Sequence, residues 1–130
     1  MSYLLDAHAL IWYRAGDRKL PAGVRALLGS GEPGLFISDV TFWELMIKHT
    51  LGKVTFVGGV ESLHQEWIEH NIAETLSIQW KHINGLCHLP NLHGDPFDRL
   101  LVSQALQEGM MVVTGDTQIR QYPGVKIFWE

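Results

Sequence analysis

The chain has 130 residues, 46% of them hydrophobic and 18% charged, the composition of one globular domain long enough to bury a core without staples. Its one cysteine, Cys87, leaves no internal disulfide and fits a reducing, cytoplasmic setting; no apolar run approaches the roughly 20 residues of a membrane span, and no signal-like segment opens the chain. A net charge of -4 argues against broad, charge-driven binding of polyanions, which needs an excess of Lys and Arg.

In chain order, Tyr3-Leu4-Leu5 is a short apolar run that stops at Asp6 and predicts a strand, and Ala7 to Tyr13 is compatible with a helix. Asp17 to Leu20 breaks that pattern, and Pro21 opens a second helical stretch through Leu28. Gly29-Ser30-Gly31-Glu32-Pro33-Gly34 spells the dinucleotide-binding fingerprint. That motif must follow a strand and open a helix, whereas this copy follows a helix and precedes the strand Leu35-Phe36-Ile37, so it reads as a turn. Ser38 or Asp39 can cap a helix over Val40 to Thr50, ended by Gly52. Val54 to Gly59 reads as loop or a short extended piece, and Val60 to His70 as a helix. Thr75 to Ile78 predicts a weak strand, Trp80 to Leu86 a short helix, and Cys87 to Gly94 a loop. A long helix follows from Pro96 to Glu108, with Asp95 as its cap and Gly109 as its stop. Met110 to Thr114 is a continuous apolar strand, Asp116 to Tyr122 a short helix, and Val125 to Phe128 a last strand. Short apolar strands alternating with helices predict one α/β domain over residues 1–130, with a parallel sheet covered on both faces.

The acids then fall into a pattern. Asp6 lies at the carboxyl end of the first strand, and Asp116 just past that of the Met110–Thr114 strand. Asp98 stands in the first turn of the helix leading into that strand, and Glu44 in the helix that follows the Phe36 strand. In open α/β sheets the ligand crevice lies outside the carboxyl ends of the strands, and helical side chains lean toward their own N-termini, which aims Glu44 at that crevice. Each acid also has an ordinary structural explanation. Asp6 and Asp116 suit helix caps, Asp98 favours the positive end of its helix, and Glu44 can pair with Lys48 one turn on. Glu44 fits that explanation least well, because Phe42, Trp43, Leu45 and Ile47 around it threaten to desolvate its charge. Four acids converging without matching bases repel one another, and a divalent cation relieves the repulsion; oxygen ligands alone favour Mg²⁺ or Mn²⁺. The chemistry that needs such a cluster is phosphoryl transfer by metal-activated water.

Leu4-Leu5-Asp6-Ala7-His8-Ala9-Leu10-Ile11-Trp12, Ser38 through Trp43-Glu44 to Lys48, His93-Gly94-Asp95-Pro96-Phe97-Asp98-Arg99-Leu100-Leu101 with Gln104-Ala105, and Thr114-Gly115-Asp116 together resemble the PIN-domain family, and within it the VapC-type toxins of bacterial toxin–antitoxin pairs. The resemblance spans essentially the whole chain, with the Asp-Pro-Phe-Asp-Arg block as its most specific part. It implies a three-layer α/β/α sandwich around a central parallel sheet, and a Mg²⁺- or Mn²⁺-dependent endoribonuclease. It also implies a homodimer restrained by a cognate antitoxin whose tail occupies the acidic groove. Asp6, Glu44, Asp98 and Asp116 match the family's acidic quartet, Asp95 an auxiliary acid, and Thr114 the hydroxyl residue that supports the last acid. The residue after the first aspartate is commonly Thr or Ser in that family; Ala7 stands there, which thins the support around Asp6.

Arg99 is expected to pair with an acid or meet a phosphate, and Arg14, Arg18 and Lys19 to form a basic rim for RNA. A haloacid-dehalogenase-type phosphatase needs a second Asp where His8 stands, and a receiver-like domain needs a late-strand lysine, for which Lys126 is the one candidate. His82, Cys87, His88, His93 and Asp95 match no standard zinc spacing. Trp12, Trp43 and Trp67 fit core packing better than base stacking. The competing function is a PIN-like module that binds RNA or protein without cutting.

Overall fold

The computed structural model describes all 130 residues. Five short strands form a wholly parallel sheet: β1 (Tyr3–Leu5), β2 (Leu35–Ser38), β3 (Glu74–Leu76), β4 (Met111–Val113) and β5 (Ile127–Phe128), in the spatial order β3-β2-β1-β4-β5. Leu4 pairs with Phe36 on one side and Val112 on the other, placing β1 at the centre. Six helices accompany them: α1 (Ala7–Ala15), α2 (Ala22–Leu28), α3 (Asp39–Thr50), α4 (Gly59–His64), α5 (Trp80–Asn84) and α6 (Pro96–Glu108). This is the expected three-layer α/β/α sandwich.

The two-residue period of the strands sorts the core into two halves. Leu5, Leu35, Ile37 and Val113 pack into one cluster with Leu10, Val24, Leu28, Leu45, Leu63 and Trp67. Leu4, Leu76 and Val112 face the other way, against Leu101, Val102 and Ala105 of α6 with Ile119 and Tyr122. Both faces of the central strands are therefore buried, which is why their sequences are unbroken apolar runs rather than alternating ones.

Most predicted elements are present within a residue or two, and the differences have local causes. The helix expected over Val60–His70 begins as α4 and continues through Gln65–Glu69 as a π-helical stretch, with Trp67 buried in the core. The short helix expected over Asp116–Tyr122 is reduced to a 3-10 turn at Ile119–Gln121, since Asp116 and Thr114 hold the preceding backbone in side-chain-bonded turns. The last strand is confined to Ile127–Phe128. The glycine-rich stretch is the expected turn: Gly34 has φ +100, and a side chain there would strike the Met1 carbonyl beside the Tyr3–Gly34 hydrogen bond. No helix is long and apolar enough to cross a membrane.

Candidate active site

From β1 the chain runs outward through β2 and β3, then returns to the opposite side of β1 for β4 and β5. The β1/β4 boundary is thus the point where strand order reverses, and the crevice outside it is where such sheets bind ligands. Asp6 follows β1 directly, and Thr114-Gly115-Asp116 follow β4. Asp6 caps α1, its Oδ1 accepting from the Ala7 N–H at 2.6 Å. The buried Thr114 hydroxyl donates to Asp6 Oδ2 at 2.6 Å and accepts from the Asp116 N–H at 3.0 Å. One side chain thus fixes both acids, and Asp6 has two donors despite Ala7 lacking a hydroxyl. Asp116 in turn accepts from the Gln118 N–H at 2.8 Å.

The other acids arrive on two helices packed against each other. Asp95 caps α6, accepting from Phe97 N–H at 2.9 Å and Asp98 N–H at 3.2 Å. This leaves the Asp98 side chain free of capping duty and points α6 into the crevice. Asp98 is buried, yet its carboxylate enters no hydrogen bond or ion pair. Burial pushes its pKa up to about 7, and the charges of Asp95, Asp6, Asp116 and Glu44 push in the same direction. All five acids therefore share one electrostatic site. Glu44 pairs with Lys48 at 2.8 Å, the i,i+4 arrangement the sequence allows. Burial works against the Lys48 charge, but the bond to Glu44 and the charges of Glu44, Asp6 and Asp95 outweigh it and raise the ammonium's pKa.

The donor set is oxygen throughout, and an unpaired carboxylate on a buried residue, among four like charges, is what a divalent cation relieves. On that test the residues fit Mg²⁺ or Mn²⁺. As the side chains rest, no three His, Cys, Asp or Glu groups are gathered closely enough to hold one ion.

The supporting residues sort less simply. Arg99 pairs with no acid: it donates to the Pro90 carbonyl at 2.8 Å and the Tyr122 hydroxyl at 3.3 Å, tying α6 to neighbouring loops. The expected acid pairing is absent because the guanidinium is engaged by the Pro90 carbonyl and the Tyr122 hydroxyl. Arg14 is engaged by Glu66 at 3.4 Å and the Val57 carbonyl, joining α1 to the segment around α4 rather than standing free as a rim. Arg18 is exposed, and Lys19 sits 5.4 Å from the centroid of the Trp12 ring. Of the tryptophans, Trp67 is core as expected, whereas Trp43 is 55% exposed against Phe97. His82 is buried between the Gln79 N–H and Glu108, well occupied without a metal.

Two neighbours of the acids went unassigned in the sequence. His8 stands 3.9 Å from Asp6 Oδ2, which raises its pKa; its position two residues past the first acid, in the first turn of a helix, is a signal that was available. Trp129 lies against Gly115, where an added Cβ would meet the indole at 2.6 Å. That contact between the chain's end and the Asp116 loop exists only through the fold.

The sequence profile of the PIN domain matches residues 3–125. The chain belongs to the PIN-domain family. This PIN domain is 26% identical over 120 residues to Ribonuclease VapC22 of Mycobacterium tuberculosis (strain ATCC 25618 / H37Rv), covering 92% of this chain and 90% of that protein. Among solved structures, its fold matches VapBC2 from Rickettsia felis bound to a promoter DNA fragment, with a TM-score of 0.74, 18% identity and 100% of both chains covered. DNA-bound VapBC from Salmonella typhimurium gives 0.73 at 16% identity, covering 98% of this PIN domain and 97% of that chain. FitAcB from Neisseria gonorrhoeae gives 0.66 at 19% identity, with 97% and 96% covered.

Proposed function

We propose that this PIN domain is a Mg²⁺- or Mn²⁺-dependent endoribonuclease of the VapC type, the toxin of a toxin–antitoxin pair. The observation that supports this reading is the placement of Asp6 and Asp116 at the ends of the paired strands β1 and β4, with Asp98, whose pKa is raised first by burial and then by the charges of Asp95, Asp6, Asp116 and Glu44. The kinship with a protein named ribonuclease supports the nuclease class, and the fold neighbours named as toxin–antitoxin complexes support an antitoxin partner. A homodimer and an RNA substrate belong to the same proposal.

Asp6, Glu44, Asp98 and Asp116 would hold the cation, which supplies Lewis acidity for attack of water on a phosphodiester and charge for the leaving oxygen. The chain's own work is orientation. Thr114 and the Ala7 N–H fix the two oxygens of Asp6, Asp95 spends its carboxylate on the α6 cap, and Asp98 is left free to bind. Its raised pKa couples binding to loss of a proton near neutrality.

One observation favours a second reading, a PIN-like module that binds without cutting: Lys48 already neutralises Glu44 at 2.8 Å. Cleavage of a structured RNA pool with Mn²⁺ or Mg²⁺ against EDTA decides between them, for wild type and Asp98→Asn. Metal-dependent cleavage that vanishes in the folded variant establishes the nuclease; a folded wild type, free of antitoxin and inert with either ion, establishes the binding module.

A further inference from the structure

Beside the acids, and outside the set assigned to the cation apart from Asp116, a cavity of about 180 Å³ opens between His8, Trp12, Gly115 and Asp116. It is too small for a typical drug-sized ligand and of the size of one heterocyclic ring system. Its walls are unlike the rest of the crevice. The His8 imidazole lies 5.5 Å from the Trp12 ring at a 42° tilt, and Trp12 in turn leans on Trp129 at 6.0 Å. His8 is about half exposed, with 51% of its side chain open, and Trp12 is half-buried, so both are held by packing yet reachable. The Lys19 ammonium lies over the Trp12 ring at 5.4 Å, bringing a positive charge to an otherwise acidic neighbourhood.

We propose that this His8–Trp12 cavity is a base subsite: it takes one unpaired nucleobase of the RNA, flanking the linkage held at the acids. Three features converge on that class of ligand. Flat aromatic walls recognise the π-face that every base carries, which favours stacking without base identity. A base in a helix has both faces covered, so a pocket of this kind selects single-stranded or looped RNA. The distance from His8 to Asp6, 3.9 Å, puts the subsite one nucleotide or less from the acids, and the Lys19 ammonium over the Trp12 ring supplies a positive charge beside it. Trp129 and Gly115 make the arrangement rigid: the indole fills the space a side chain at position 115 would need, so the loop carrying Asp116 and the Trp12 wall are braced by the same ring. Neither of the two exposed tryptophans, Trp43 and Trp80, lines this cavity; Trp43 rests on Phe97 instead.

The inference rests on the ribonuclease reading, and the experiment separates the two. Short single-stranded RNAs are prepared with one abasic nucleotide walked past the cleaved linkage, and kcat and KM are measured for wild type, Trp12→Leu, Trp12→Phe and His8→Ala. An abasic site keeps the phosphate and removes only the ring, so it distinguishes a base subsite from a phosphate site. Wild type is expected to lose roughly 5- to 100-fold in kcat/KM at one position, chiefly through KM. Trp12→Leu and His8→Ala should be indifferent to the abasic nucleotide at that position, and Trp12→Phe should keep most of the discrimination. If wild type cuts every abasic RNA equally well, or if folded Trp12→Leu retains the wild-type penalty, the subsite is refuted while the nuclease stands. Should Trp12→Leu fail to fold, His8→Ala, altered at a half-exposed side chain, decides alone: retention of the wild-type penalty refutes the subsite. A wild type that cuts no RNA removes both the nuclease and the subsite.

Discussion

Asp98 is the residue on which the site's energetics concentrate. Its folded carboxyl holds a proton until about pH 7, whereas an unfolded aspartate ionises near pH 4. Between about pH 4 and pH 7 the folded state therefore binds more protons than the unfolded one, and stability falls as pH rises through that window. The metal-free protein should lose stability steadily across it from this group. Asp98→Asn, which removes the charge and keeps the shape, should lose that part of the slope. Urea unfolding in EDTA at a series of pH values reads the difference, and parallel curves for the two proteins would show that Asp98 is not the strained acid. Thr114 is the second residue-scale test. Its hydroxyl is bonded to Asp6 at 2.6 Å and to the Asp116 N–H at 3.0 Å, so Thr114→Val frees two acids in one change of nearly constant volume. Ligand-orienting partners of this kind carry roughly 10- to 100-fold in metal affinity or activity. Calorimetric titration with Mn²⁺ should show a loss of that size, with the fold retained; unchanged affinity would mean that the Ala7 N–H alone orients Asp6.

At the scale of elements, the site depends on how α3 sits against α6. Ser38 caps α3 through the Val40 N–H at 3.0 Å, and its hydroxyl donates to the buried Gln104 of α6. Gln104 in turn reaches the Ser77 carbonyl and His82, while His82 is bonded to Glu108, whose pKa is lowered by Lys81 and His82. This buried polar chain joins the helix bearing Glu44 to the helix bearing Asp98. Gln104→Leu leaves the Ser38 hydroxyl with its cap alone, and Ser38→Ala removes the cap and strands Gln104 Oε1. Each should cost about 1–3 kcal/mol in chemical denaturation, Ser38→Ala the more; a loss within a few tenths would show that the network is slack. The strands and long helices were legible because their periodicity and caps are local: Tyr3–Leu5, Asp95-Pro96 and Gly109 announce themselves. Asp6, Asp98 and Asp116 stand out because each sits at a strand end or in a first turn, positions that topology maps to one crevice, whereas Glu44, in the second turn of α3, is singled out by its apolar neighbours. The Ser38–Gln104 bond spans 66 residues and had no local signal. The acid pairing expected of Arg99 is absent for the complementary reason: its partners, the Pro90 carbonyl and the Tyr122 hydroxyl, are brought to it by the fold. The π-helical stretch at Gln65–Glu69 likewise answers to the demand of burying Trp67, a tertiary requirement that overrides the simple helical period.

For the whole molecule, folding itself works against its own site. A sheet of order β3-β2-β1-β4-β5 brings Asp6 and Asp116 together at the strand reversal, α3 and α6 add Glu44, Asp95 and Asp98, and only Lys48, on Glu44, and His8, near Asp6, offset the group. The metal-free fold thus carries an uncompensated repulsion that the unfolded chain lacks. A cation that binds only the folded site should stabilise the protein by mass action, about 2.7 kcal/mol at a hundredfold excess over its Kd. Screening also weakens the repulsion, so the comparison that matters is Mg²⁺ or Mn²⁺ against NaCl at matched ionic strength. The divalent ion is expected to raise the urea midpoint well beyond NaCl, with a saturable dependence on its concentration. Asp6→Asn should reduce that gain, and Arg18→Ala, on an exposed side chain outside the acidic group, should leave it intact. Equal effects of the two salts on wild type would mean that the acids only repel and never jointly bind an ion. The fold would then support a partner-binding role better than hydrolysis.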